Sequence, residues 1–394
     1  MVAIIGLTPS FVEKIIYFSE VIMDQKRILG TSGLLQPDFN NFLEYSRLFF
    51  EIKQYSNAGP CVNLLEKRLA KFHECDHCIT FSNGFWALVM TLECLKIKER
   101  CEVLMPSLTY RRLSDLVSWA GLTPVYYDID VDSLTSSVSL VEKQISQNTS
   151  IVLGVHPIIN CFPTSEVRNL CNDHGIPFIM DSVESAYEFN EAGRVGSQAV
   201  AEIFSLHASK LINACEGGYV ATSDKDLAEK LKSLRGFGFS GHDIVKYDGG
   251  INSKLNEMHA SLALANLDAL PNFIKHNENI YRQYQIELSL IPGITLLEFD
   301  ETHRTSFKNI VARIDNDFRF SRDELISSLN QDLIFARSYY YPALHEKNLK
   351  NVQFPFTEQC SKNHILLPSG FQIQEYDVIY ICKKIKNLLN CKCQ

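Results

Sequence analysis

Hydrophobic positions divide the first part of the chain into helical segments. Apolar side chains recur three and four positions apart over residues 11–29 and 39–55, and the Gly30–Gly33 stretch separates these two segments. The same spacing continues over residues 62–72. These patterns predict an N-terminal helical segment, residues 1–55, that packs on the domain following it.

Short apolar runs alternate with helical patterns from residue 77 onward. The runs are typical of strands, because they are short and end at turn or charged residues, whereas the segments between them have helical spacing. In chain order the runs are HCITFS, EVLMP, TPVYYDID, SIVLGVHP, PFIMD and AEIFSL, and the Gly217–Gly218 pair opens one more. This alternation predicts an α/β fold with a mostly parallel mixed sheet between layers of helices.

The pattern changes again along a helix that begins near Glu257. Pro271 is predicted to interrupt this helix, because proline lacks the backbone donor that a helix interior needs. Residues 292–385 then alternate between short strands and helices, which indicates a smaller α+β domain. We therefore predict a large domain over residues 56–270 and a small C-terminal domain over residues 271–394.

Composition restricts the class of protein. The 394 residues are 46% hydrophobic and 21% charged, as in ordinary globular proteins. A net charge of -8 without a basic cluster argues against binding to nucleic acid. No apolar stretch approaches the ~20 residues that span a membrane, and the N-terminus lacks the basic region of a signal peptide. We expect a cytoplasmic protein with no membrane insertion.

Twelve cysteines are scattered along the chain, and reduced thiols are the default for such a protein. The HECDHC stretch at residues 73–78 has the appearance of half a zinc site. A second ligand pair at regular spacing is missing, so we predict ordinary thiols and no metal site.

Several polar or aromatic residues directly follow predicted strands. Because ligands bind at the carboxyl ends of parallel strands, these residues are predicted to share one site. An acid at a strand end and a lysine after the next strand suit pyridoxal phosphate (PLP), which needs a lysine for its Schiff base and an acid for its ring nitrogen. Each residue alone has an ordinary alternative, a turn or cap for the acid and a solvated loop for the lysine. The residues are Asn83, Tyr110, His156, Asp181 and Lys210.

Ser82–Ala87 joins a predicted strand to a predicted helix. Backbone N–H groups at a helix N-terminus can bind phosphate, and Gly84 allows a ligand to approach closely. By itself, the segment favours a plain strand-to-helix turn, and the phosphate role gains weight only beside Asp181 and Lys210.

These motifs together resemble the DegT/StrS group of sugar aminotransferases, PLP enzymes of fold type I that act on nucleotide-linked keto-sugars. The resemblance covers roughly residues 56–390. Phe204–Lys210, followed by Glu216–Gly218, is similar to the family's FSFHATK…EGG motif. Further matches are Ser82–Leu88 to SNGTAAL, Asp181–Ser185 to the strand-end acid motif, Met105–Tyr110 to MPSxTF, and Gly250–Leu255 to GxNxRM.

The resemblance implies a role for each residue around the cofactor ring. Lys210 would hold PLP covalently and move the proton at the substrate carbon, and Asp181 would pair with the ring nitrogen. Tyr110 would stack on the ring face. Glu184 stands where many members have glutamine, beside the ring hydroxyl. Lysine at position 210, where sugar-dehydrating relatives carry histidine, implies transamination.

The resemblance also implies how the phosphate is held. Gly84, Phe85 and Ser205 would bind it, and Asn252 would reach the phosphate of a partner subunit. We therefore expect a homodimer with shared active sites. Phe85 replaces a family threonine and Lys254 replaces an arginine, so the details of the phosphate cup differ from the family pattern.

The segment Ala336–His345 resembles an R-Y-F/Y-x-P-x-x-H stretch in members that aminate C4 of dTDP-4-keto-6-deoxyglucose. The product would be dTDP-4-amino-4,6-dideoxyglucose (viosamine), made from L-glutamate for O-antigen or another surface polysaccharide. Expected substrate contacts are His156, Arg337 and Tyr340, with Arg111 and Arg112 as alternative diphosphate ligands. A packed strand with cross-strand aromatic pairs would also explain the segment.

Two other functions remain open from the sequence. One is amination of a C3-keto-sugar or of a UDP- or GDP-linked sugar, and the other is a non-catalytic regulator on the same fold. The intact Lys210, Asp181 and Tyr110 argue against the regulator.

Overall fold

The structure, a computed structural model, describes residues 27–31, 36–241, 244–349 and 351–390. Most of the helix predicted over residues 11–29 lies outside these ranges, as do Cys391 and Cys393. Its described end is a strand, β1 (Leu29–Gly30), and this part of the prediction is wrong. β1 pairs in parallel with residues of the small domain, and Leu29 is buried in the core around the second sheet.

The first sheet has seven strands, in the spatial order β2-β10-β9-β6-β5-β3-β4 once the strands are numbered along the chain. β10 is antiparallel to both of its neighbours, and every other pair is parallel. The short β7–β8 hairpin lies outside the sheet, between β6 and β9. The strands are β2 (His77–Phe81), β3 (Glu102–Pro106), β4 (Thr123–Tyr127), β5 (Thr149–Val155), β6 (Phe178–Asp181), β7 (Phe189–Asn190), β8 (Gly193–Arg194), β9 (Ala201–Ser205) and β10 (Gly218–Thr222).

Helices cover both faces of this sheet, which confirms the predicted α/β class. Successive strand residues point to opposite faces, so Ile203 of β9 packs in one core and the adjacent Phe204 packs in another. Every residue of β5 is buried, as expected for a central parallel strand. The helices are α1 (Phe39–Ile52), α2 (Pro60–His73), α3 (Gly84–Leu95), α4 (Leu113–Trp119), α5 (Val138–Glu142), α6 (Thr164–Asp173), α7 (Lys225–Leu234) and α8 (Glu257–Leu288).

Helix α8 runs unbroken for 32 residues through Pro271, where an interruption was predicted. Its first half, up to Phe273, is buried in the core of the large sheet, and its second half, from Ile280, is buried in the core of the small one. Packing on both sides of the proline offsets the hydrogen bond that the proline removes. The predicted domain boundary near residue 271 falls inside this helix and stays a prediction.

The second sheet is antiparallel, with the order β11-β12-β15-β14. Within the Ala336–His345 segment only Arg337 and Ser338 form a strand, and Tyr340 has a left-handed backbone with φ 41°. The sequence pattern did not predict β15, α10 or α11. The elements are β11 (Ile294–Leu296), β12 (Ile310–Ile314), α9 (Arg322–Gln331), β13 (Ile334–Phe335), β14 (Arg337–Ser338), α10 (Leu344–Asn348), α11 (Pro355–Asn363), β15 (His364–Leu367) and α12 (Glu375–Asn390). No helix within the described ranges is both long enough and apolar enough to cross a membrane.

Candidate active site

The carboxyl ends of three neighbouring strands meet at one edge of the large sheet. Asp181 ends β6, Ser205 ends β9, and His156 follows β5. The backbone N–H of His156 donates to the carbonyl of Asp181 at 3.1 Å, and that of Ser182 donates to the carbonyl of Ile203 at 2.9 Å. The parallel pairing of β5, β6 and β9 thereby places these residues side by side.

Lys210 lies in a loop whose backbone is held tightly. Its N–H donates to the carbonyl of His207 at 2.8 Å, while Ala208 and Leu206 donate at 2.8 Å to residues just before β10. These bonds fold the loop back on itself at the end of β9. The Lys210 side chain is 17% exposed and points to Glu184, with which it forms an ion pair.

Glu184 joins two lysines from different domains. One carboxylate oxygen accepts from Lys210, and the other accepts from Lys308 at 2.7 Å and from the Asn309 amide at 3.4 Å. Burial alone would raise the pKa of Glu184, but the two lysines outweigh burial and hold that pKa well below its usual range. The two lysines therefore favour the ionised form of Glu184 in this cluster.

Asp181 is an acid with little counter-charge. Its side chain accepts one backbone N–H, from Val183 at 3.2 Å. Burial raises its pKa from 3.8 to about 6, against the smaller opposing effects of that hydrogen bond and of Lys210. A buried carboxyl of this kind gains from a cationic partner, such as a protonated ring nitrogen.

The N-terminus of helix α3 lies beside these residues. The N–H groups of Gly84 and Phe85 precede the first hydrogen bond within the helix, and Asn83 caps the N–H of Trp86 at 3.0 Å. A Cβ on Gly218 would lie 2.4 Å from the Gly84 nitrogen, so glycine at that position is what allows β10 to approach this turn. Ser205 also lies close to Gly84.

The Gly250–Leu255 segment closes on the same turn. Ser253 accepts the N–H of Ser82 at 2.7 Å, and the two hydroxyl oxygens are 2.8 Å apart. The neighbouring Asn252 is exposed, and so is Tyr110, with 51% of its surface accessible. The stacking role of Tyr110 and the inter-subunit role of Asn252 stay predictions.

The small domain covers this edge of the sheet with the segment Ala336–His345. His345 Nδ1 lies 2.6 Å from the Ser107 hydroxyl, and the Tyr339 hydroxyl accepts the N–H of Ile158 at 3.1 Å. Tyr340 is within electrostatic reach of Glu184 and Asp181, and burial raises its pKa well above 10.

The predicted arginines differ in their surroundings. Arg337 is exposed and within electrostatic reach of Glu184 and Arg111. Arg112 forms an exposed ion pair with Asp115 at 2.9 Å, on the first turn of α4. Arg111 is thus the better placed of the two alternatives.

His156 is buried between the strand end and the Phe162 turn, with 2% of its surface exposed. Its Nδ1 accepts the N–H of Phe162 at 3.1 Å, and its Nε2 has no partner among the described residues. Burial lowers its pKa to about 3, so the ring is neutral. The structure does not bring it into contact with Arg337 or Tyr340, and its predicted substrate contact stays a prediction.

The sequence reasoning did not identify Lys308 and Asn309. Both lie in the SFKNIVARI stretch at residues 306–314, where two polar residues interrupt an apolar run. That interruption was the only signal available, since their contact with Glu184 depends on how the two domains pack.

His73 of the HECDHC stretch uses both ring nitrogens inside the protein, at 2.7 Å from the Val195 carbonyl and 2.8 Å from the Tyr219 hydroxyl. Across the ranges that the structure describes, no group of three or more His, Cys, Asp or Glu side chains could hold a metal ion.

A model of the DegT/DnrJ/EryC1/StrS aminotransferase family matches residues 40–386. The chain belongs to this family. The aminotransferase is similar to GDP-perosamine synthase from Vibrio cholerae, with 28% identity over 85% of this chain and 93% of that protein. It is also 27% identical to dTDP-4-amino-4,6-dideoxy-D-glucose transaminase from Shigella dysenteriae, over 81% of this chain and 86% of that protein.

Among solved structures, DesI in the presence of its TDP-sugar product superposes on the aminotransferase with a TM-score of 0.86. Identity is 28%, and the match covers 92% of this chain and 93% of DesI. The predicted family, its fold type and PLP dependence are confirmed, and the enzyme is a sugar aminotransferase.

The residues at the sheet edge fit PLP. A loop lysine is available for the covalent bond, a buried acid with a raised pKa is available for the ring nitrogen, and helix N–H groups are available for the phosphate. Lys210, Asp181 and the Gly84–Phe85 turn are the residues that would hold the cofactor.

Proposed function

We propose that the aminotransferase transfers the amino group of L-glutamate to C4 of dTDP-4-keto-6-deoxyglucose. The products would be dTDP-4-amino-4,6-dideoxyglucose and 2-oxoglutarate, and the pathway would be the synthesis of O-antigen or another surface polysaccharide. The observation that carries this proposal is the position of the Ala336–His345 segment, which brings Tyr340 within reach of Glu184 and Asp181. The name of the Shigella dysenteriae relative supports the same sugar.

Lys210 is the base and acid of the proposed reaction. When bound, PLP supplies an electron sink for the negative charge that develops on the reacting carbon. Lys210 would remove the proton from the donor carbon and return one to C4 of the sugar. Because its loop is fixed by backbone hydrogen bonds, it would act from one face, and the product would be a single epimer. The resemblance to members that aminate C4 implies the gluco configuration for that epimer.

Arg337 and Arg111 are the proposed ligands of the diphosphate. The chain has a net charge of -8, so a sugar nucleotide needs local positive charge. Two arginines within electrostatic reach of each other suit a diphosphate, since each guanidinium can donate two parallel hydrogen bonds. Tyr340, which is within electrostatic reach of both Arg337 and Glu184, would form a wall of the sugar pocket.

The active enzyme is proposed to be a twofold dimer in which Asn252 reaches the phosphate of the partner subunit. The loop before Asn252 exposes apolar side chains, which suits burial against a second copy. These side chains are Phe237, Phe239, Ile244 and Val245.

A GDP-linked keto-sugar is the second candidate substrate, favoured by the similarity to the Vibrio cholerae GDP-perosamine synthase over most of both chains. The two candidates share the cofactor chemistry and differ in the nucleotide.

Incubation with L-glutamate and a panel of nucleotide keto-sugars tests the substrate. We expect turnover of dTDP-4-keto-6-deoxyglucose, with NMR identifying one product that carries an equatorial amine at C4. Turnover of only a GDP- or UDP-linked sugar, or an amine at C3, would contradict the dTDP assignment and leave the aminotransferase activity standing. Lys210→Ala serves as the inactive control.

A further inference from the structure

The Glu184 carboxylate is shared between two lysines, and only one of them follows from the family motif. Lys210 comes from the loop after β9 in the large domain, whereas Lys308 comes from the small domain, just before β12. The three side chains are 14–17% exposed. The second lysine therefore reaches the reaction centre from the other side of the domain boundary.

The charge balance explains why two cations are useful. With both lysines protonated, the three side chains carry a net charge of +1. When Lys210 acts as a nucleophile or base it carries no charge, and Glu184 would be left as a buried anion without a cation if Lys308 were absent. Burial would then raise the pKa of Glu184 instead of letting the lysines lower it.

The other charged groups around the cluster do not replace Lys308. Asp181 at the end of β6 carries the same charge as Glu184, and Tyr340 is neutral because burial raises its pKa. Arg337 is within electrostatic reach of Glu184 but exposed, and Arg111, which carries the same charge as Arg337, lies within reach of it as well. Lys308 donates a hydrogen bond to Glu184 from the small domain as a cation, at 2.7 Å.

We propose that Lys308 is a positioning residue of the aminotransferase, which keeps Glu184 ionised and directed at Lys210 while Lys210 gains and loses its proton. This role rests on the proposed function in one respect, which is that Lys210 carries out the proton transfer. Glu184 can then accept a hydrogen bond in every protonation state of Lys210, a role that glutamine at this position could fill without a counter-ion.

The segment that carries Lys308 has a second anchor, which makes a clean test possible. Ser306 donates its N–H and its hydroxyl to Glu188, at 3.0 Å and 2.6 Å. Replacing Lys308 should therefore leave the segment docked. Ser306→Ala is the matched control, since it weakens the docking of the same segment, through Glu188, without changing the charge beside Glu184.

The test compares pH profiles of the PLP-loaded Lys308→Met, Lys308→Arg and Ser306→Ala proteins with the wild type. The first measurement is the visible absorption of the bound cofactor without any donor, and the second is its change on adding L-glutamate. In Lys308→Met the pKa of Glu184 should rise, because one of the two cations that lower it is lost while its burial remains. A new transition should appear on the acid side, and the rate with glutamate should fall as the pH is lowered.

Three results support the proposal together. Lys308→Arg keeps the wild-type profile, Ser306→Ala loses stability without a new transition, and Glu184→Gln/Lys308→Met lacks the transition because no carboxyl remains to titrate. A Lys308→Met protein with a wild-type profile and only a lower unfolding temperature would overturn the positioning role. The proposed function fails separately, if borohydride traps no cofactor on Lys210 in any of these proteins.

Discussion

Two buried glutamates of this enzyme, Glu66 and Glu184, both pair with cations, but their partners differ in kind. Glu66 lies on α2 and accepts from the N–H and hydroxyl of Thr80, at 2.9 and 2.8 Å, and from Arg235. Arg235 also donates to the Thr80 carbonyl at 2.6 Å. All three residues lie on or next to regular elements, and the guanidinium cannot release its proton.

Glu184 has lysines where Glu66 has an arginine, and its partners come from loops instead of helix and strand. A lysine can lose its proton and can form a covalent bond, so the ion pair of Glu184 can be broken and remade. A buried charge thus stabilises the fold when its partner keeps its proton, and it can take part in chemistry when its partner can gain and lose one. Substitutions at the two sites should therefore separate stability from activity.

Lys210→Ala should give the largest effect, and on activity alone. Turnover should fall by several orders of magnitude, because the covalent and the proton-transfer roles are lost together. Stability should change little, since Glu184 keeps Lys308. Turnover assays and urea denaturation of the same preparation measure both, and an active Lys210→Ala protein would contradict the assignment.

Arg235→Met should show the opposite behaviour. It leaves Glu66 buried without its cation, which costs about 3–5 kcal/mol of the free energy of unfolding. Arg47→Met, which breaks an exposed pair with Glu44, is the matched control and should cost about 0–1 kcal/mol. Equal losses of unfolding free energy in the two variants would show that the ion pair between Glu66 and Arg235 does not stabilise the fold.

Asp181→Asn should slow the reaction with glutamate and yet stabilise the cofactor-free protein. The folded-state pKa of Asp181 is raised to about 6 from 3.8, so its stabilising protonated form is lost as the pH rises through 6. The amide of Asp181→Asn does not titrate. The free energy of unfolding of the variant should therefore exceed that of the wild type by near zero at acid pH and by about 3 kcal/mol at neutral pH. Urea denaturation of both proteins from acid to neutral pH measures this difference, and a variant less stable than wild type at neutral pH would be the contrary result.

Asn252→Ala should have the smallest of these effects, limited to cofactor retention. Loss of one hydrogen bond to a charged phosphate should weaken PLP binding about 10- to 100-fold. Asn148→Ala is the control, because Asn148 is exposed at the opposite edge of the sheet, just before β5. Full activity of a monomeric enzyme would disprove the shared site.

The large domain could be predicted from sequence because its strands are short apolar runs separated by amphipathic helices. The rule that ligands lie at strand ends then located Asp181 and Lys210 correctly at one edge. The spacing of hydrophobic residues depends only on local structure, which is why this part of the fold was accessible.

The small domain was less predictable, for a physical reason. The continuity of α8 through Pro271 depends on two cores that pack against it, and strand β15 is only four residues long. The contact of Lys308 with Glu184 depends on how the domains pack, as does the pairing of Leu29 with Ile334. Such contacts between distant residues leave no periodic pattern in the chain.

The most direct test of the central claim is the position of the cofactor on the chain. Lys210 and Lys308 both contact Glu184, and only Lys210 should bind PLP covalently. Protein loaded with PLP is reduced with borohydride, digested and mapped by mass spectrometry. We expect one adduct, on the Lys210 peptide, that is absent from Lys210→Ala and retained in Lys308→Met. An adduct on Lys308, or none on Lys210, would contradict it.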